Sequence, residues 1–207
     1  MVDDNGPPRA TVRRLPRYLR ALEPARDKLS ISSEELAEAA DTNAAIVRRD
    51  MSLLGFSGVR GVGYDVERLR SHIRSELGLT ADVRVAVVGA GNLGRALANY
   101  GGFERRGFRV VALYDIDPQK VGVEVAGVPV RPLDSLVSDG EDGTIDIGII
   151  ATPGGAAQEV AEQLSAARVR SILNFAPTWV RVGEGVEVRQ VDLSTELQIL
   201  SYYRSHG

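Results

Sequence analysis

The sequence predicts an α/β protein in two parts, a small helical unit followed by a Rossmann-like, doubly wound parallel sheet. Three observations carry this. Residues 1–80 show apolar side chains at helical spacing, closed by a glycine-rich stretch. From Val83 onward, short apolar runs alternate with helical segments. The first of those runs, RVAVVG, opens into Gly89-x-Gly91-x-x-Gly94. At 207 residues the chain can bury two separate cores.

Composition narrows the chemistry. With 43% hydrophobic and 26% charged residues the chain reads as an ordinary globular protein. No apolar run approaches the roughly 20 residues that span a bilayer. The start, MVDDNGPPRA, has no apolar leader core and is expected to be a short tail. The absence of cysteine excludes disulfides, thiol redox chemistry and thiolate-held metal, and a cytoplasmic location is expected. His72 and His206 are the only histidines, so no metal site is expected. Arg9, Arg13, Arg14, Arg17 and Arg20 occur with no acid among them, and Arg48, Arg49 and Arg60 form a second basic group. Such clusters attract phosphate or simply face solvent.

The first helix is expected over Arg14–Leu22, with Leu15, Tyr18, Leu19 and Leu22 on one face. Pro16 should lie near its start, since an interior proline lacks the N–H donor. Ser32 and Glu35 form a capping box for a second helix carrying Leu36, Ala39 and Ala40. Asp41-Thr42-Asn43 is a turn with side chains able to cap a third, about Ala44 to Leu54. That helix has an apolar face of Ile46, Val47, Met51 and Leu54, while Ala45, Arg48, Arg49 and Ser52 share the other side.

Two helices joined by a short polar turn, the second with a small, basic and hydroxyl-bearing face, fit a helix-turn-helix. An ordinary helical hairpin with a solvated face fits them as well. Gly55 to Tyr64 alternates glycines with apolar residues around Arg60 and Gly61. It reads as the wing of a winged helix-turn-helix whose arginine meets phosphate or a minor groove, or as a connecting loop. Asn43, Ala45, Arg48, Arg49, Ser52, Arg60 and Gly61 are therefore the candidate DNA-binding residues. A fourth helix is expected over Asp65–Leu77, stopped by Gly78, with His72 on its polar side. The expected domains are residues 1–80, 81–193 and a terminal helix at 194–207.

In the second part VRVAVVG, FRVVALYD, IDIGIIAT and SILNFA read as strands, with helices at Asn92–Tyr100 and Ala156–Ala167. The glycine fingerprint follows a strand, opens a helix, and precedes Asp115, 21 residues beyond Gly94 at the end of the next strand. That context marks a dinucleotide site. Gly89, Ala90, Gly91, Asn92, Leu93 and Gly94 form the phosphate turn, at a helix N-terminus with positive potential. Asp115 suits the adenosine ribose hydroxyls and opposes a 2′-phosphate, which favours NADH/NAD+ over the phosphorylated cofactor.

No histidine lies between His72 and His206, and Lys120, the only lysine after residue 80, sits just beyond Asp115. None of the six tyrosines has a lysine four positions on. The acid or base that hydride chemistry needs is missing, so no catalytic residue is assigned.

These residues resemble the Rex family, bacterial transcriptional repressors that respond to the NADH/NAD+ balance. The similarity runs through LPRYLRAL, IVRRDMSLLG, GVRGVGYDV, VVGAGNLGRALANYGGF, DIDPQKVG, ATP at Ala151, Thr152 and Pro153, NFAP at Asn174, Phe175, Ala176 and Pro177, and VDLSTELQILSYY. The resemblance implies a homodimer on an inverted-repeat operator, one winged helix per half-site, with a C-terminal exchanged helix striped by Leu197, Leu200 and Tyr203. It implies Leu193 as the apolar residue entering the partner's nicotinamide pocket. It further implies a conformational network of Arg20, Tyr100 and Asp192. Where the family pattern has Lys before Asp, this chain has Arg49-Asp50. The Ala151–Pro153 and Asn174–Pro177 segments would surround the nicotinamide with mostly apolar groups.

Three other readings stay open on the residues alone. They are a small NAD(P)-dependent reductase with a helical appendage, a module binding CoA or another adenine nucleotide, and an interaction protein with a vestigial site.

Overall fold

The computed structural model describes residues 6–206. Of the tail expected over MVDDNGPPRA, residues 1–5 lie outside the described residues, and Arg9 and Ala10 already belong to the first helix. The chain divides into two compact units, Met1–Ala81 and Asp82–Gly207.

The first unit begins with α1 (Arg9–Leu22), five residues earlier than its apolar spacing predicts, so Pro16 lies inside the helix. Tertiary contacts on both sides of the proline outweigh its lost hydrogen bond: Thr11, Leu15, Tyr18 and Leu22 are all buried along one face. Next come β1 (Ser30–Ile31), α2 (Ser33–Ala39), α3 (Ala44–Leu53), β2 (Tyr64–Asp65) and α4 (Val66–Glu76). The Ser32–Glu35 capping box is present in both directions. Asn43 Oδ1 accepts from the Ile46 N–H and caps α3.

The strand β1 is not legible in the sequence. It is two residues long and owes its existence to antiparallel pairing with β2, Ile31 opposite Tyr64. Ahead of β2 the wing closes on a single Val59–Gly63 bridge. Gly63 has φ +101°, and a Cβ there would stand 2.3 Å from the Ile31 carbonyl oxygen, so only glycine lets the wing cross β1. Leu15, Tyr18, Leu22, Leu36, Val47, Met51, Leu69 and Ile73 form the core.

The second unit is a seven-stranded sheet in the order β5-β6-β4-β3-β7-β8-β9. The strands are β3 (Val83–Val88), β4 (Phe108–Asp115), β5 (Glu124–Val125), β6 (Val128–Pro132), β7 (Ile147–Ile150), β8 (Ser171–Asn174) and β9 (Glu187–Gln190). All neighbours are parallel except the β5–β6 hairpin. Four of these strands are predicted from sequence; β5, β6 and β9 are short outer strands whose runs lack a strong apolar signal. The helices are α5 (Asn92–Ala98), α6 (Leu136–Glu141), α7 (Gly154–Ala166) and α8 (Leu193–His206). The chain reverses direction across the sheet between β3 and β7, where a doubly wound fold opens its ligand crevice. No residue of α8 is buried.

Candidate nucleic-acid interface and dinucleotide site

In the first unit, α3 exposes Ala45, Arg48, Arg49 and Ser52, and Arg60 and Gly61 stand exposed at the wing. The opposite side of α3 holds a feature the sequence reading missed. Asp50 is buried, its side chain 1% exposed, beneath the exposed Arg49. Its carboxylate accepts from Arg14 Nε at 2.6 Å and Nη2 at 2.7 Å, from the Tyr18 hydroxyl at 2.7 Å and from Thr11 Oγ1 at 2.9 Å. Burial works to raise the carboxyl, but the bonds from Arg14, Tyr18 and Thr11 outweigh it and hold Asp50 below the usual carboxylate range. Arg14 therefore leaves the basic face on which the sequence places it. The signal was present: Val47, Asp50, Met51 and Leu54 share one helical stripe, and Thr11, Arg14 and Tyr18 fall at spacings of three and four.

Two more side chains hold α3. Arg48 Nη1 donates to Ser33 Oγ at 2.8 Å and Glu34 Oε1 at 2.9 Å, which ties it to the start of α2. His72, expected as a surface residue, is half-buried instead. Its Nε2 stands 2.8 Å from the Leu54 carbonyl oxygen, and its ring lies 5.2 Å from that of Phe56. A carbonyl only accepts, so Nε2 carries the proton and His72 satisfies one of the open carbonyls at the end of α3. His72→Ala is expected to cost about 1 kcal/mol, read by chemical denaturation, with His72→Gln recovering part. A wild-type midpoint in the alanine variant would exclude the capping role.

In the second unit, Gly89, Gly91, Asp115, Lys120, Thr152 and Pro153 line one cavity of about 390 Å³, together with Ala151. The turn is built for close backbone approach. A Cβ at Gly94 would stand 1.8 Å from the Gly89 carbonyl oxygen, and one at Gly89 would stand 2.6 Å from that of Ala151. At Gly91 a Cβ would meet nothing within 4 Å. Gly94 and Gly89 are thus required by the fold, whereas Gly91 leaves room for a ligand. Gly91 also caps α5 with no side-chain acceptor on the first-turn N–H groups. Thr152 Oγ1 is buried without a hydrogen-bond partner, a polar group fit for a ligand atom. A pyrophosphate and ribose suit this set.

Asp115 is already well bound. Its Oδ2 accepts from the Ala90 N–H at 2.8 Å and from Lys120 Nζ at 3.1 Å, and Oδ1 accepts from the Asp117 N–H at 2.9 Å. Burial pushes the carboxyl up, and these three donors more than offset it, leaving it below its ordinary range. Ala90 thus contributes its N–H to Asp115, while Asn92 and Leu93 are exposed at the start of α5.

The remaining candidates lie outside this cavity. Asn174, Phe175, Ala176 and Pro177 do not line this cavity. Asn174 is fully buried, donating to the Thr178 carbonyl at 2.8 Å and Gln190 Oε1 at 2.7 Å and accepting from the Ala176 N–H at 2.9 Å. These bonds shape the turn after β8. Asp192 caps α8, accepting from the Ser194 N–H at 2.9 Å and the Thr195 hydroxyl at 3.0 Å. Tyr100 is exposed and packs edge-on to Phe103 at 5.1 Å. Arg20 is exposed in the last turn of α1, and Leu193 is exposed where α8 begins. Among the described residues no three His, Cys, Asp or Glu side chains form a group able to hold a metal ion. No described helix is long and apolar enough to cross a membrane.

Two family models match: "Putative DNA-binding protein N-terminus" over residues 8–52 and "CoA binding domain" over residues 80–178. The chain is 58% identical over 200 residues to the redox-sensing transcriptional repressor Rex of Streptomyces coelicolor, covering 96% of this chain and 78% of that one. It is 42% identical to the Rex of Brevibacillus brevis, covering 94% of this chain and 95% of that one. Among solved structures, RSP, a Rex-family repressor, superposes with a TM-score of 0.86 at 36% identity, covering 96% of this chain and 94% of that one. RSP in complex with β-NAD+ and operator DNA gives 0.89 at 37% identity, covering 95% and 92%. RSP with β-NADH gives 0.84 at 36% identity, covering 96% and 94%.

Proposed function

The chain belongs to the Rex family of redox-sensing transcriptional repressors, and from that premise we propose that it binds an operator and releases it when NADH binds. It is a regulator; the cofactor is read and not consumed. The observation that carries this is the cavity at Gly91. It offers a phosphate turn, a ribose carboxylate and an unpartnered hydroxyl.

Residues 1–80 serve as the winged-helix DNA-binding domain, in which Ala45, Arg49 and Ser52 face the groove and Arg60 and Gly61 the backbone or minor groove. Asn43 and Arg48 take part while also holding α3 in place. Residues 81–193 bind NADH or NAD+ on Gly89–Gly94, Asp115 and Ala151–Pro153. Residues 194–207 form the dimerisation helix, with Leu193 at its head. All of Leu193, Leu197, Leu200 and Tyr203 are exposed in the single chain, which suits a helix covered by a second copy. An apolar cavity of about 330 Å³ on the sheet, bordered by Val85, Phe103, Phe108, Ile149 and Leu173, suits that homodimer too. Arg20, Tyr100 and Asp192 are assigned to the conformational network, and the protein to the cytoplasm.

Discrimination follows from charge. NAD+ carries a cationic ring and NADH a neutral one, and burying an unpaired cation among mostly apolar groups is costly. If NADH favours the dimer form that misses the operator spacing, its binding lowers operator affinity by linkage. A hundredfold preference corresponds to about 2.7 kcal/mol, enough to switch a balanced repressor. On an inverted-repeat duplex in a gel-shift titration, NADH is expected to release the protein at concentrations where NAD+ does not. Equal NADH affinity with and without operator would refute the linkage, and no DNA binding at any salt would refute the repressor reading.

A further inference from the structure

We infer that Glu34, with Ser33, is a positioning residue for operator recognition: the pair fixes Arg48 by one edge so that its other edge is presented to DNA. This rests on the operator-binding reading above.

The guanidinium offers five N–H donors in a planar fork. Its Nη1 is spent on Ser33 Oγ at 2.8 Å and Glu34 Oε1 at 2.9 Å. Its Nε and Nη2 have no hydrogen-bond partner among the described residues, and these two atoms form the edge that pairs bidentately with guanine or a phosphate. The side chain is 55% exposed, so the open edge is accessible. Arg48, Ser33 and Glu34 also line a cavity of about 530 Å³ whose other wall is the wing, with Arg60 and Gly61. Arg48 therefore lies on the side of α3 next to the wing, where a nucleic-acid backbone passes in a winged-helix complex.

An unrestrained arginine loses rotamer freedom on binding; one held by two bonds has lost it already. The charges also argue for a positioning role. A carboxylate on a DNA-facing surface repels phosphate, so Glu34 weakens sequence-independent binding while its contact with Arg48 sharpens the specific one. Its carboxyl is held below the usual range, first by the Arg48 bond, and stays charged at neutral pH.

The test compares operator with random-sequence DNA for full-length wild type, Glu34→Gln, Ser33→Ala, Arg48→Ala and the Glu34→Gln/Arg48→Ala double variant, with NADH affinity measured for each. Glu34 and Ser33 sit at the start of α2, away from the core, and NADH affinity is expected unchanged. Glu34→Gln is expected to bind operator roughly 10-fold more weakly and random DNA as tightly as wild type or tighter. Ser33→Ala is expected to move the same way by a smaller factor. In the Arg48→Ala background, Glu34→Gln should have no further effect on operator affinity. A Glu34→Gln protein that keeps the wild-type ratio of operator to random binding, or one whose loss adds in full to that of Arg48→Ala, overturns the inference. A wild-type protein with no operator preference overturns the repressor reading itself, and this inference with it.

Discussion

Gly91→Val is expected to yield a folded protein that holds its operator and no longer answers to NADH. The backbone at Gly91 is extended, with φ −78° and ψ −167°, a region open to β-branched residues. A Cβ there meets no atom within 4 Å beyond its chain neighbours, which leaves open space for a side chain. On the proposed function, the space it enters is the one a pyrophosphate would take at the start of α5. NADH affinity should fall by roughly 100-fold or more, about 2.7 kcal/mol, while operator affinity without NADH stays at the wild-type value. Calorimetric titration of NADH and a gel-shift with and without it read the two halves separately. Wild-type NADH affinity in this variant would mean the dinucleotide lies elsewhere. Gly94 cannot serve for the same experiment, because a Cβ 1.8 Å from the Gly89 carbonyl oxygen breaks the turn itself.

Asp50→Ala should produce the largest loss of stability in the first unit. Removing the carboxylate strands the Arg14 guanidinium, the Tyr18 hydroxyl and Thr11 against a buried gap. Breaking a buried pair of this kind costs about 3 kcal/mol, which lowers the melting temperature of a unit this size by on the order of 15 °C. Operator binding should fall with it, since α3 loses its tie to α1, while NADH binding in the second unit should persist. Calorimetry of the full chain measures the loss, and amide hydrogen exchange should place it in α1 and α3.

The sign with pH follows from the depressed carboxyl. Asp50 contributes its stability above the unfolded carboxylate value of about 3.9 and loses it as pH falls below that toward the folded value. Asp50→Asn should therefore be less stable than wild type at pH 7, with the gap closing in acid. A stability difference that stays constant from pH 7 down to pH 2 would contradict the charged pair.

Much of this architecture is written locally. The apolar periodicity of α3 and α4, the Ser32–Glu35 box, the Asn43 cap and the strand leading to Gly89-x-Gly91-x-x-Gly94 all involve residues within a few positions of one another, and the sequence shows them directly. Local rules failed where distant contacts outweighed them. Pro16 argued for a later start of α1, yet buried contacts on either side carry the helix through it. His72 looked like a surface residue until Leu54 and Phe56 were folded against it.

What the sequence by itself determined is therefore the class of the protein: two units, a helical one in front and a dinucleotide turn behind. Tertiary structure alone decided the partners. It turned Arg14 from the basic face to Asp50, tied Arg48 to Glu34, set Lys120 on Asp115 and committed Asn174 to the turn after β8. The reason is physical. Helical spacing and caps follow from neighbours along the chain, but which charges meet depends on how helices and strands pack, and four of the five arginines from Arg9 to Arg20 stay on the surface while one does not.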